Sequence, residues 1–207
     1  DIYFFGELSL DGNIKDTSSI FFIILSLTKK NLINKVLVCE ESAKKLSNIP
    51  NLEIYCVKNL DDAINFIKSN KKEEFLFKKN PLEYKVLKIN EIEYYFDTNY
   101  IDDFQDVIAQ DMAKNAAVIS SAGCHNIIFE GSPGCGKSMI SKRLKYIMPP
   151  MNLEEILEKA KLQSLDYKEV DFLPIRAFRS PHHSSTKSSI FGGGSSNAKM
   201  GEIALSN

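Results

Sequence analysis

Eight consecutive residues concentrate the chemistry of this chain: Gly131, Ser132, Pro133, Gly134, Cys135, Gly136, Lys137 and Ser138. They spell G-x-x-x-x-G-K-S after the apolar run Ile127, Ile128, Phe129 and before a helix-compatible stretch opening at Met139. Strand, glycine-containing loop and helix in that order make a cradle for phosphates. Glycines at this spacing let the backbone curl, so that successive N–H groups face one anion. The following helix adds the positive end of its dipole. Lys137 is placed to reach the outer phosphates of a nucleoside triphosphate, and Ser138 to ligate Mg²⁺. Cys135 is read as a loop filler. Turnover would also need a carboxylate on a second strand, to hold Mg²⁺ and position water. The run Val36, Leu37, Val38, Cys39, Glu40, Glu41 imitates such a strand, but it precedes the loop and offers Glu in place of the usual Asp. Nothing after Ser138 has that form, since Asp166 and Asp171 sit in mixed sequence. Hydrolysis by these residues alone is not expected.

A second constellation is Phe178, Arg179, Ser180, Pro181, His182 and His183. Adjacent histidines in an extended segment point to opposite sides and do not readily share one metal ion. The segment is read as a loop contacting phosphate, DNA or a neighbouring subunit, with a plain structural loop as the alternative. Arg176, Arg179, Lys187 and Lys199 make the last third of the chain locally basic. The whole chain carries a formal net charge of -1, so it has no global electrostatic pull toward nucleic acid.

The elements that must position these groups follow from the pattern. The 207 residues, 43% hydrophobic and 26% charged, suit one large or two small globular domains. The four cysteines show no C-x-x-C spacing, which argues against a zinc site or disulfide framework and fits a reducing cytoplasm. The most apolar run, residues 20–27, is far shorter than the ~20 residues a membrane span needs, and reads as a buried helix. The chain opens Asp1, Ile2, Tyr3, with neither methionine nor basic leader, and is read as an internal piece of a longer protein. Strand-like residues 2–10 lead to the turn Asp11, Gly12, Asn13. A helix is expected over 18–31, a strand over 35–39, a helix over 40–46 and a strand over 51–57. Asn59 should cap a helix over 60–68. The polar stretch 69–79 is the expected domain junction, and 84–96 a hairpin around Asn90 and Glu91 or a loosely ordered linker. Residues 104–121 read as one helix, with Val107, Met112, Ala116, Val118 and Ile119 as its apolar positions. Pro149 and Pro150 should end the helix after the loop, and Asn152 should cap the next, over 153–162. Residues 178–207 are Ser- and Gly-rich and read as a working loop or disorder. The expected class is α/β, with the start of a doubly wound parallel sheet around the phosphate loop.

From Asp103 onward the chain resembles the AAA+ module of Mg-chelatase-like ATPases of the ComM/YifB type. The matching residues are Phe104 to Gln110, then Ala122, Gly123, Cys124, His125 and Asn126, the phosphate loop, and Met148, Pro149, Pro150, Met151. The strongest match is Phe178 to His183, followed by Gly192, Gly193, Gly194 and then Gly201 to Leu205. Residues 1–70 are similar to the second half of a Lon-protease-like, ribosomal S5 domain 2-like α+β domain, opening at Phe5, Gly6, Glu7, Leu8. Residues 71–98 would be a linker and 99–207 the first part of the ATPase module. In that likeness Phe21 stands at the catalytic lysine position and the serine nucleophile would lie before Asp1, so peptidase activity is not expected. The resemblance implies ATP and Mg²⁺ as cofactors, with Ile108 and Gln110 beside the nucleotide. It implies a homo-hexamer of the full-length protein, with an arginine finger from the neighbour, and a DNA-acting motor that promotes branch migration of transforming DNA. Arg179, His182, His183 and Lys199 are the candidate DNA or subunit contacts. Two departures are an apolar linker and Ala109 where the family carries Gly; Ala resists positive φ, so the loop there is expected to differ in shape. The other readings are a non-hydrolysing assembly module and a chelatase motor subunit for metal insertion into a tetrapyrrole.

Overall fold

The computed structural model describes residues 1–79, 82–166, 169–193 and 200–206. The chain forms two compact units, Asp1–Glu83 with Ala160–Asp171, and Tyr84–Lys159 with Phe172–Asn207.

The first unit runs β1 (Tyr3–Phe4), β2 (Glu7–Leu8), β3 (Ile14–Lys15), α1 (Ile20–Lys29), β4 (Lys35–Val38), α2 (Glu40–Leu46), β5 (Glu53–Cys56) and α3 (Leu60–Lys68). Strands β1, β4 and β5 form a parallel sheet in that order, and β2 and β3 a small antiparallel ladder. Val36, Leu37 and Val38 are all buried, which is the signature of a central parallel strand covered on both faces. Helix α1 buries Ile20, Phe21, Ile24 and Leu25. Phe21, which holds the lysine position of the Lon-like pattern, is a core residue at 1% exposure. Asn59 caps α3, its Oδ1 accepting from Asp62 N at 2.8 Å. That helix delivers Phe66, whose ring meets Tyr55 at 5.1 Å and Phe75 at 5.4 Å.

The run that imitates an acidic strand is β4 followed by the first turn of α2. Glu40 and Glu41 sit at the positive end of that helix and Lys44 and Lys45 at its negative end. Glu40 pairs with Lys44 at 2.9 Å. Residues 72–75 form a 3₁₀ turn, and Phe77 N donates to Ile54 O at 2.8 Å. The junction expected at 69–79 therefore extends the edge of β5 and belongs to the first unit.

The second unit holds β6 (Lys85–Ile89), β7 (Ile92–Phe96), α4 (Asp111–Ala122), α5 (Lys137–Ile147), β8 (Met151–Asn152), the start of α6 (Leu153–Leu165) and α7 (Lys187–Phe191). Strands β6 and β7 form the hairpin, closing at Ile89↔Ile92 across Asn90 (φ 49°) and Glu91 (φ 68°). Two left-handed residues in a two-residue turn match the twist of the strands. The linker alternative does not hold there. Strand β8 pairs with β7 through Tyr95↔Met151. Asn152 caps α6 as expected: its Oδ1 accepts from Glu155 N at 2.9 Å, while Glu155 Oε2 accepts from Asn152 N at 2.9 Å.

Three expectations fail locally. Residues 127–129 join no ladder among the described residues, and the strands described in this unit are antiparallel; the chain is mixed α/β as expected, with its parallel sheet in the first unit. A strand exists through its neighbours' hydrogen bonds, and an apolar run alone does not supply them. The helix expected over 104–121 breaks into a 3₁₀ turn (Phe104–Asp106) and α4. Helix α4 buries Ala117, Ser120 and Ser121, while Met112, Val118 and Ile119 are exposed. The Ser- and Gly-rich tail forms α7 and a 3₁₀ turn (Ala204–Ser206), with Gly194 and Lys199 outside the described residues. No described helix is long and apolar enough to cross a membrane.

The cysteines make one part of this fold testable. Cys39 is buried, and burial pushes the Cys56 thiol up to about 11, whereas Cys124 is exposed. At pH 8 a thiol reagent should label Cys124 in the native protein and reach Cys56 only on unfolding, because the thiolate is the reactive form. Mass-spectrometric mapping of labelled peptides checks this, and rapid native labelling of Cys56 would contradict the burial.

Candidate phosphate-binding site

The loop is built on glycine conformation. Gly134 (φ 81°) and Gly136 (φ 91°) occupy the left-handed region, which side-chain-bearing residues enter only at a cost. At Gly131 a Cβ would lie 3.1 Å from Cys135 Sγ. Gly136 is the N-cap of α5, and no side chain caps that helix. Its first-turn N–H groups therefore have no side-chain acceptor from the N-cap. Lys137, the first residue of α5, folds back over the loop. Its Nζ donates to Gly131 O and Ser132 O, both at 2.8 Å, and lies 3.6 Å from Cys135 Sγ. The ammonium is therefore held by loop carbonyls at the mouth of the curl.

Beside it opens a groove of about 440 Å³. Lys137, Ser138, Ser141 and Lys142 line it from α5, and Phe178 and Ser180 from the later segment. Two cations and three hydroxyls with no carboxylate make this lining suited to an anion. The fit to the phosphates of a nucleotide rests on that donor set and on the glycine curl. Ser138 adds a hydroxyl to that lining beside Lys137, and the described residues contain no cluster of three His, Cys, Asp or Glu that would hold a metal unaided.

The segment before α4 is held against α5 by a residue that spacing did not reveal. Arg143 Nε donates to Asp103 O at 2.8 Å, and its Nη2 to Asp102 Oδ1 at 3.0 Å and Asp106 Oδ2 at 3.1 Å. Asp103 and Asp106 cap one another's backbone in a reciprocal box. Val107 is buried against Ala117 and Ile140. Ile108 then projects into solvent at 89% exposure, and Ala109 (φ 58°) and Gln110 (φ 60°) both take left-handed backbone. Ala109 thus adopts the positive φ that its side chain was expected to resist; the Arg143 and Val107 anchors on one side and α4 on the other impose it.

The candidate contacts further on divide. Arg179 is bound to Glu202, Nε to Oε2 at 2.5 Å and Nη2 to Oε1 at 2.6 Å. His182 and His183 are exposed, with ring centroids 4.1 Å apart. They do not point to opposite sides, because Ser185 N donates to His182 O and closes a turn in place of an extended strand. Lys199 lies outside the described residues.

Two measurements check this geometry. Ala109→Gly should stabilise the chain by about 0.5–1 kcal/mol in urea unfolding. It relieves a left-handed cost of about 1–2 kcal/mol and adds about 0.5–1 kcal/mol of unfolded-chain entropy; a loss of stability would refute the conformation. Asp106 is held below the usual aspartate range, first by the Asp103 N–H and then by the Arg143 guanidinium. A depressed native value adds stability that is complete above the ordinary 3.8 and is lost as pH falls below it. Asp106→Asn should therefore flatten the acid limb of a thermal-midpoint against pH curve, and an unchanged limb would remove Asp106 from the clamp.

Residues 103–207 match the family described as magnesium chelatase, subunit ChlI. Competence protein ComM of Haemophilus influenzae is 31% identical over 204 residues, which is 98% of this chain and 38% of that protein. The uncharacterized protein YifB of Salmonella typhimurium is 43% identical over 105 residues, covering 50% of this chain and 21% of its own length. An uncharacterized Mycobacterium tuberculosis protein is 25% identical over 202 residues, 96% of this chain and 37% of its own. The chain thus spans less than two-fifths of each of these curated relatives. With the family match reaching over half of its residues, the chain belongs to the magnesium chelatase ChlI family, among the Mg-chelatase-like proteins of the ComM/YifB type.

Proposed function

We propose that this chain holds ATP with Mg²⁺ as the nucleotide-binding part of an AAA+ ATPase that acts on DNA. The observation that carries the reading is the loop itself: two left-handed glycines, an α5 N-terminus without a side-chain cap, and the Lys137 ammonium fixed by two carbonyls. Backbone N–H groups of Gly134, Cys135, Gly136 and Lys137 would surround the inner phosphates, with Ser132 and Pro133 shaping the curl. Lys137 would bond the outer phosphates, and Ser138 would supply one ligand to Mg²⁺, which neutralises charge on those oxygens. Ile108 and Gln110, on the turn clamped by Arg143, would flank the base.

Binding and turnover separate in this reading. The groove's lining among the described residues contains no carboxylate to position water, which supports nucleotide binding by this chain with turnover assigned to a full-length hexamer. The likeness to a protein named for competence, running over 98% of this chain, favours DNA over a tetrapyrrole partner. The exposed His182 and His183, with Lys199, are the proposed DNA or subunit contacts; Arg179 is already engaged by Glu202.

Titration with a fluorescent ATP analogue tests the first claim. Lys137→Ala should weaken binding at least about tenfold, the worth of a charge-assisted hydrogen bond. Undiminished affinity in that variant would place the nucleotide elsewhere. For the full-length protein, ATP hydrolysis should rise on adding single-stranded or branched DNA, and a flat rate would count against a DNA motor.

A further inference from the structure

The groove has a wall that the loop does not supply. Phe178 and Ser180 line it together with Lys137, Ser138 and Lys142. They lie in irregular backbone, with no ladder or helix to hold them in place. Between them stands Arg179, joined to Glu202 by two parallel bonds of 2.5 and 2.6 Å, both side chains about one quarter exposed. A planar fork of this kind fixes orientation as well as distance.

Glu202 is in turn anchored by its backbone. Its N–H donates to Ser189 O at 3.0 Å, and Ile203 N to Ile190 O at 3.2 Å, both acceptors on α7. Gly201 beside it leaves no room for a side chain: a Cβ there would fall 2.3 Å from Gly192 N. Thr186 caps α7, its Oγ1 accepting from Ser189 N at 3.2 Å. Residues 186–192 and 200–206 are therefore one packed piece, and Arg179 fastens the groove wall to it.

We infer that Ser180 is a further contact for the terminal phosphate of the bound triphosphate, and that the Arg179–Glu202 pair is the positioning device that holds it there. The inference deepens the nucleotide reading and rests on it. Lys137 and Ser138 mark the end of the site where the outer phosphates lie, and Ser180 opens on that same groove with a hydroxyl able to donate. A donor at the terminal phosphate distinguishes ATP from ADP, because ADP leaves it without a partner. The signature of this contact is therefore selectivity between the two nucleotides, and an overall change in affinity would not suffice.

The test is a pair of titrations, with Mg²⁺ and either ATP or ADP, on this chain and three variants. Ser180 is exposed, so Ser180→Ala leaves the fold intact. It should weaken ATP binding about fivefold, the worth of one hydrogen bond, and leave ADP binding unchanged. Arg179→Lys, which cannot form the fork, and Glu202→Gln, which weakens it, should lower the ATP:ADP preference in the same direction. An unchanged preference in Ser180→Ala, beside a wild type that binds ATP, overturns the inference and leaves the nucleotide reading standing. Equal losses of ATP and ADP affinity in Arg179→Lys and Glu202→Gln reduce the pair to a structural tie and overturn its positioning role. A wild type that binds neither nucleotide overturns the underlying reading, and the inference with it.

Discussion

The site depends on a backbone conformation that glycine alone adopts cheaply. Gly134 and Gly136 place the chain in the left-handed region within three residues. That curl leads into α5 at Lys137, whose ammonium folds back onto Gly131 O and Ser132 O. Each consequence is electrostatic, and all have the same sign. Partial positive charge from amides, a helix N-terminus and a lysine converges on one concave surface. An anion is the ligand such a surface selects.

Two guanidinium groups organise the loops around it. Arg143 gathers Asp102, Asp103 and Asp106 onto α5, and Arg179 fastens the other flank to Glu202. Both are planar forks holding segments that join no β-ladder. Lysine, a point charge on a flexible stem, would not impose the same geometry. The first unit is organised differently. There a buried parallel sheet and the Phe66 aromatic cluster carry the packing, and ion pairs such as Glu40–Lys44 lie at the surface, where they contribute little.

What could be read from the sequence was local. The left-handed glycines leading into α5, the Asn59 and Asn152 caps and the hairpin at Asn90 and Glu91 are each specified by a few adjacent residues, and each stands in the structure as read. What could not be read was long-range or imposed. Arg143 meets partners 37 to 41 residues away, and no periodicity encodes that distance. Ala109 carries a backbone angle set by its neighbours' anchors. Residues 127–129 have a strand's composition, but a strand also needs a ladder beside it. The adjacent histidine rings follow from one turn hydrogen bond that the residue types do not signal. A close look at Asp102, Asp103 and Asp106 would have hinted at the clamp, since three carboxylates in one short segment call for a cation.

The most direct measurement is amide hydrogen exchange across residues 131–138, with and without a non-hydrolysable ATP analogue and Mg²⁺. The expected result is slowed exchange confined to the Gly134, Cys135, Gly136, Lys137 and Ser138 amides and the first turn of α5. Unchanged exchange there, under conditions where the analogue binds, would show that the glycine curl is not where the phosphates lie.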